Sequence, residues 1–314
     1  MEDNKKRRLA EIAYMYYIDG MSQNEIAREY SISRSMVSTM LSEARAKGIV
    51  KIQIEDADLY CFDLQKKMEK IFGIKKVIIV PRLSKQESNL LYQLADGCID
   101  YLNQVIEDNM TIAVSWGRTL YQIANRIRSK GKSNLTISPL VGGIGNEMNM
   151  YHSNVICDIM ANNLGGNSLG LYAPVFVSNK EVKDVIFKDK SINKVIETSR
   201  NSDIAIVSIG NILSSVMREI GTLSEEDVSK LLELGAIGDV NTFFIDRDGR
   251  VVESHLSERT IALTIDELKK IPKIIAVAGG LEKTEAIHAA LKGKLMDVLI
   301  TDEEVAKGIL KNYE

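Results

Sequence analysis

The sequence predicts an α/β fold in two parts, on two observations. From residue 76 onward, short apolar runs alternate with helix-like stretches, and each run ends in glycine or a polar residue. Upstream, residues 22–47 read as two short helices joined by a tight turn. The expected organisation is a three-helix winged helix-turn-helix over 1–54, a linking helix over 55–75, and a doubly wound, Rossmann-like domain over 76–314. With 314 residues, 45% apolar and 26% charged, the chain has the length and composition for both.

In the first part, Leu9, Ile12, Ala13 and Tyr16 share a helical face and predict a first helix. Ser22 followed by Glu25 is a capping box that starts the second, whose apolar stripe is Ile26, Ala27 and Tyr30. Ser31-Ile32-Ser33 breaks the pattern, and Ser33 can cap the third helix. There Val37, Met40, Leu41 and Ala44 fall on one buried face, while Ser35, Ser38, Thr39 and Ser42 lie opposite, flanked by Arg34 and Arg45. Short hydroxyls let a helix sit deep in a groove, and arginines reach phosphates or guanine edges. These six residues are the candidate contacts to double-stranded DNA; the alternative is a helical hairpin whose Ser/Arg face is merely solvated. After Gly48, Ile49-Val50-Lys51-Ile52-Gln53-Ile54 alternates as a strand would, and suits a minimal wing.

Charge adds a condition. The chain carries a formal net charge of -3, and residues 1–51 hold 9 Lys/Arg against 7 Asp/Glu. Affinity for DNA rests heavily on phosphate neutralisation, so one such domain binds weakly and several are needed. Leu59, Phe62, Leu64, Met68 and Phe72 give segment 55–75 an amphipathic face suited to contact between copies, and a homo-oligomer is expected, a dimer or a tetramer.

In the second part the apolar runs are 77–80, 111–114, 135–138, 204–207, 274–277 and 298–300, with a further strand at 242–245. Helical segments are expected at 87–107, 118–130, 181–199, 224–235 and 283–292. Ligands of doubly wound sheets bind at the carboxyl ends of the strands. Those ends read Ser115-Trp116-Gly117-Arg118-Thr119, Val141-Gly142-Gly143-Ile144-Gly145, Ser208-Ile209-Gly210-Asn211, Ala278-Gly279-Gly280-Leu281-Glu282-Lys283 and Thr301-Asp302-Glu303. Glycine allows close backbone approach, and a helix starting just after supplies N–H donors to an anion. With Arg118 and Lys283 the set suits a phosphorylated or heavily hydroxylated small molecule, although any one glycine can be a plain turn residue. Asp239, in Gly235–Asn241, can accept from sugar hydroxyls or satisfy its own loop. Trp116 can stack on a sugar ring or sit in the core.

Other chemistries lack their signatures. The sequence has no phosphate-binding P-loop, dinucleotide fingerprint, zinc-protease motif or nucleophile elbow, and His152, His255 and His288 are isolated. Cys61, Cys98 and Cys157 show no paired spacing, which argues against disulfides and zinc and fits a reducing cytoplasm. No apolar run approaches the length of a membrane span, so no membrane partner is expected. No metal, cofactor or catalytic residue is expected.

DGMSQNEIAREYSISRSMVSTMLSEARAKGIVKI at 19–52, SWGRTL at 115–120, GAIGDV at 235–240 and AGGLEKTEAIHAALKGKLMDVLITDEEVA at 278–306 resemble the SorC family of bacterial sugar-responsive transcription regulators over nearly the whole chain. The resemblance implies an effector domain similar to sugar-phosphate isomerases but without isomerase activity, and tetramers on two-part operators. It implies phosphate binding around Ser115–Thr119 with Gly142 and Gly143 nearby, and Asp239, Asn241 and Lys283 at the sugar end. Asn241 departs from the small or apolar residue more usual after GD-x. The resulting reading is a cytoplasmic repressor of a carbohydrate operon, controlled by a sugar phosphate that is its effector and not a cofactor. One rival is an isomerase-like enzyme with an accessory DNA-binding domain; its acid/base candidates are Asp239 and Asp302, with no accompanying histidine. The other is a polymerase-associated factor, for which a whole effector domain is unnecessary.

Overall fold

The computed structural model describes residues 2–50, 55–82, 86–143, 149–214, 216–219 and 221–313. The chain divides into two compact units, Met1–Asp56 and Ala57–Glu314.

The first unit holds α1 (Glu2–Tyr17), α2 (Gln23–Glu29) and α3 (Arg34–Ala46). Its core is Leu9, Ile12 and Ala13 of α1, Ile26 and Ala27 of α2, and Val37, Leu41 and Ala44 of α3, with Tyr16, Tyr30 and Met40 packed around them. Ser22 and Glu25 form the expected reciprocal cap on α2, and Ser33 caps α3 by accepting from the Met36 N–H at 3.1 Å. Ser31 takes a left-handed conformation (φ 52) in the turn between them. Ile49 and Val50 pack on this core. The rest of the expected wing, 51–54, lies outside the described residues.

Among the described residues the second unit has the strands β1 (Lys76–Val80), β2 (Thr111–Val114), β3 (Thr136–Pro139), β4 (Asn167–Ser168), β5 (Ile204–Val207), β6 (Ile209–Asn211), β7 (Gly238–Val240), β8 (Phe243–Ile245), β9 (Ile274–Val277) and β10 (Val298–Asp302). Its α-helices are α4 (Glu55–Phe72), α5 (Glu87–Val105), α6 (Arg118–Arg126), α7 (Ser153–Leu164), α8 (Lys180–Lys188), α9 (Lys190–Arg200), α10 (Val216–Glu219), α11 (Glu225–Glu233), α12 (His255–Glu258), α13 (Ile265–Leu268), α14 (Thr284–Lys292) and α15 (Glu303–Leu310). Seven strands form one parallel sheet in the order β1-β10-β9-β5-β2-β3-β4. Both faces are buried, which is why the central strands read as unbroken apolar runs. Ile204 and Ile206 point into the layer of α5, α6 and α7; Ala205 and Val207 point into the layer of α4, α14 and α15.

Several elements differ from the sequence expectation. The helix expected at 181–199 is two, because the Asp189 carboxylate accepts from the N–H groups of Ser191 and Ile192 and starts α9 afresh. The segment before the expected 242–245 strand is itself a strand, β7, which pairs antiparallel with β6 and β8 in a second, three-stranded sheet. Asn241 (φ 50) and Thr242 (φ 67) form the two-residue turn between β7 and β8, both left-handed as a type I′ hairpin turn requires. Within α4, Cys61, Leu64 and Met68 are buried in the core of the second unit and Phe72 packs against it, whereas Phe62 and Ile71 remain exposed. Much of the apolar face expected to serve contact between copies is thus used within the subunit.

Candidate effector site and DNA-binding helix

A cavity of about 320 Å³ opens at the carboxyl ends of β2, β5 and β9. Trp116, Gly117, Arg118 and Thr119 line it from the β2–α6 junction, Ser208, Gly210 and Asn211 from the β5–β6 segment, and Gly279, Gly280, Glu282 and Lys283 from the β9–α14 loop. Arg82, Ser214, Glu219 and Asp239 complete the polar lining. Gly117 sits at φ 118, a conformation that side chains disfavour, and α6 starts from it with no side-chain cap. Helix α14 is entered differently: a 3-10 turn, Leu281–Lys283, runs straight into it, and the Thr284 N–H donates to the Leu281 carbonyl. The N-terminus of α6 thus meets the cavity with first-turn N–H groups that no side chain caps.

The carboxylates around this space differ sharply in freedom. Asp302 is fully buried: Oδ1 accepts from the N–H groups of Glu304 and Val305 and caps α15, while Oδ2 accepts from the Gly280 N–H at 2.7 Å. Arg82 stands 3.9 Å from it and 3.5 Å from Glu304. Asp302 thus orients the β9–α14 loop, and both its oxygens are engaged. Asp239 is buried beside Gly210, where a β-carbon would fall 2.1 Å from Oδ1. Burial pushes its carboxyl up to about 6, against the opposing pull of the Thr242 N–H, 3.2 Å from Oδ2, and of the Lys283 charge. Glu219 is by contrast partly exposed, and its Oε2 accepts from Arg118 Nη2 at 2.5 Å.

Of the residues expected to hold an effector, Trp116, Gly117, Arg118, Thr119, Gly210, Asp239 and Lys283 line the cavity. Ser115, Asn241, Gly142 and Gly143 do not. The Ser115 hydroxyl donates to Asn241 Oδ1 at 2.9 Å, and Asn241 Nδ2 donates to the Leu263 carbonyl at 2.9 Å, so both side chains brace the hairpin from behind. Gly142 and Gly143 bond to the backbone of Ile261 and Ala173, and a β-carbon on Gly142 would lie 2.6 Å from the Ala173 oxygen. These two glycines serve a close backbone crossing. Trp116 is both buried in the core and part of the cavity wall. Arg82 and Glu219 went unmarked in the sequence because neither lies in a glycine-rich strand end.

On α3, Arg34, Ser35, Ser38, Thr39, Ser42 and Arg45 are all exposed, opposite the buried Val37, Leu41 and Ala44. Thr39 and Ser42 donate back to the carbonyls of Ser35 and Ser38 at 3.0 Å, which keeps their oxygens close to the helix surface. Among the described residues no helix is long and apolar enough to cross a membrane.

A helix-turn-helix unit together with a doubly wound unit that carries a polar cavity defines a DNA-binding regulator with a small-molecule pocket. Known proteins agree. Residues 58–311 match the family described as "Putative sugar-binding domain", and residues 6–47 match sigma-70, region 4. The deoxyribonucleoside regulator of Bacillus subtilis (strain 168) is 30% identical over 99% of both chains. The transcriptional regulator LsrR of Enterobacter sp. (strain 638) is 30% identical over 96% of this chain and 92% of its own. Among solved structures, the full-length sorbitol operon regulator SorC from Klebsiella pneumoniae superposes with a TM-score of 0.76 at 26% identity, over 97% of this chain and 98% of that one. A DeoR family transcriptional regulator from Listeria monocytogenes gives 0.74 at 35% identity, over 79% and 99%. The chain belongs to the SorC family of sugar-responsive transcriptional regulators and is a DNA-binding regulator with a sugar-binding domain, not an enzyme.

Proposed function

We propose that this regulator is a cytoplasmic repressor of a carbohydrate operon, and that its effector is a phosphorylated sugar held in the cavity at the ends of β2, β5 and β9. The observation that carries the reading is the uncapped N-terminus of α6, opening on the cavity beside Arg118 and Lys283. Backbone donors, a helix dipole and two cations suit a phosphate. Asp239 sits among the polar groups suited to sugar hydroxyls. The exposed face of α3 enters the major groove of an operator, with Arg34 and Arg45 on phosphates or guanine edges. The near-neutral first unit supports a homo-oligomeric state, because several such units must add their phosphate contacts. An effector that prefers one quaternary arrangement then shifts operator affinity by linkage.

Calorimetry with glucose 6-phosphate and with glucose, beside anisotropy on an operator selected from random duplexes, tests the reading. Thr119→Glu should abolish binding of the phosphorylated sugar by direct repulsion, and Lys283→Ala should weaken it. Arg34→Ala should cost on the order of 1–3 kcal/mol in operator binding if it reads a base. Unchanged sugar-phosphate affinity in both cavity variants would move the site elsewhere. A stable monomer by light scattering, free and on DNA, would remove the oligomeric part.

A further inference from the structure

The cations that line the cavity, Arg82, Arg118 and Lys283, are matched there by Glu219, Asp239 and Glu282. An entering anion therefore meets a wall with no formal surplus of positive charge. Arg82 lies next to Asp302 and Glu304, the Lys283 charge acts on Asp239, and Arg118 donates to Glu219. For an anionic group to reach a guanidinium or ammonium here, some carboxylate must give way.

The carboxylates are not equally able to do so. Asp302 caps α15 and holds the Gly280 N–H. Asp239 is confined between Gly210 and the Thr242 N–H. Glu219 stands on the four-residue helix α10, its side chain 43% exposed, and its Oε2 accepts from Arg118. That bond joins two residues of the cavity lining that are 101 positions apart. Partly exposed pairs of this kind are worth little, so Glu219 can exchange Arg118 for water at small cost.

We infer that Glu219 is an internal competitor: it occupies the place on Arg118 that the anionic group of the effector takes, and so sets effector affinity. The inference rests on the proposed anion site. A phosphate monoester brings up to two charges and three acceptor oxygens against the single charge of a carboxylate, so it wins the exchange at the cost of part of its binding energy. Removing the competitor returns that part.

The test is calorimetric titration of the full chain with glucose 6-phosphate and with inorganic phosphate. Wild type, Glu219→Gln, Glu219→Ala, Arg118→Ala and Arg118→Ala/Glu219→Gln are compared. Both Glu219 variants should bind both ligands more tightly, by about 1.4- to fivefold, the range expected from releasing a partly exposed ion pair. Arg118→Ala should weaken binding, and in that background Glu219→Gln should bring no gain. If Arg118→Ala weakens binding but neither Glu219 variant tightens it, the competitor role is wrong and the anion site stands. If the gain persists without Arg118, Glu219 acts through its field alone and the inference is overturned. If Arg118→Ala changes nothing, the anion site at Arg118 falls, and this inference with it.

Discussion

Replacing Asp239 by asparagine should stabilise the second unit while it weakens sugar binding. The side chain is buried, and its carboxyl is raised from 3.8 to about 6 chiefly by burial. A shift of roughly two units at about 1.4 kcal/mol each amounts to about 3 kcal/mol that the folded protein loses by holding the ionised form. A raised acid pKa makes the native state bind more protons than the unfolded chain between about pH 4 and pH 6. Stability from this group therefore falls as pH rises through that window, and the cost is complete above it. The amide keeps the shape and can accept the Thr242 N–H, so Asp239→Asn removes the cost; about 3 kcal/mol is its ceiling at pH 7.5. For a unit of this size each kcal/mol moves Tm by about 2–4 °C. Differential scanning calorimetry at pH 7.5 should show the variant melting several degrees above wild type, with the free-energy gap about half as large at pH 5. A variant that melts at or below wild type at pH 7.5, or a gap that does not narrow at pH 5, would refute the reasoning. Such a stabilised variant that binds sugar less well is the expected signature of a site kept at the expense of stability.

Two further outcomes separate the units and their supports. Leu41→Ala removes a buried side chain from the small core of the first unit and should cost about 2–5 kcal/mol, enough to lose operator binding; calorimetry should find effector binding intact. Asn241→Ala breaks the bonds to Ser115 and Leu263 and leaves at φ 50 a residue that tolerates the left-handed region less well than asparagine, whereas Asn241→Gly breaks the same bonds but suits the turn. Both should melt below wild type, by about 1–3 kcal/mol for glycine and by up to about 1 kcal/mol more for alanine.

The sequence carries the parallel sheet legibly because its central strands are buried on both sides, so 204–207 and 274–277 are unbroken apolar runs. The small sheet is not legible. Its strands Ile209–Asn211 and Gly238–Val240 are three residues long and contain glycine and polar groups, and their pairing joins residues 27 to 31 positions apart. The break between α8 and α9 had a local sign, the capping Asp189, but the apolar pattern runs on across it. At the cavity, the residues legible in sequence were those where a glycine-rich strand end and a charge coincide, as at Gly117-Arg118 and Gly280–Lys283. Asn241 is expected at the sugar end on the family resemblance alone. Only the fold reveals that its amide is engaged by a hydroxyl and a carbonyl behind the turn. Arg82 and Glu219 arrive from segments without a motif, and their convergence is a property of the sheet order.

That order also bears on how the protein is made. Strand β1 lies at an edge, and its one neighbour in the sheet is β10, with Val80 opposite Asp302. The buried core of the first unit, by contrast, draws on residues 9–44, with Ile49 and Val50 packed on it. During synthesis the helix-turn-helix can close as soon as it leaves the ribosome, while β1 waits more than 200 residues for its partner. A polypeptide that stalls or is cleaved before Val298 therefore leaves a formed DNA-binding head on an unfinished effector unit, a fragment able to touch an operator and deaf to any sugar.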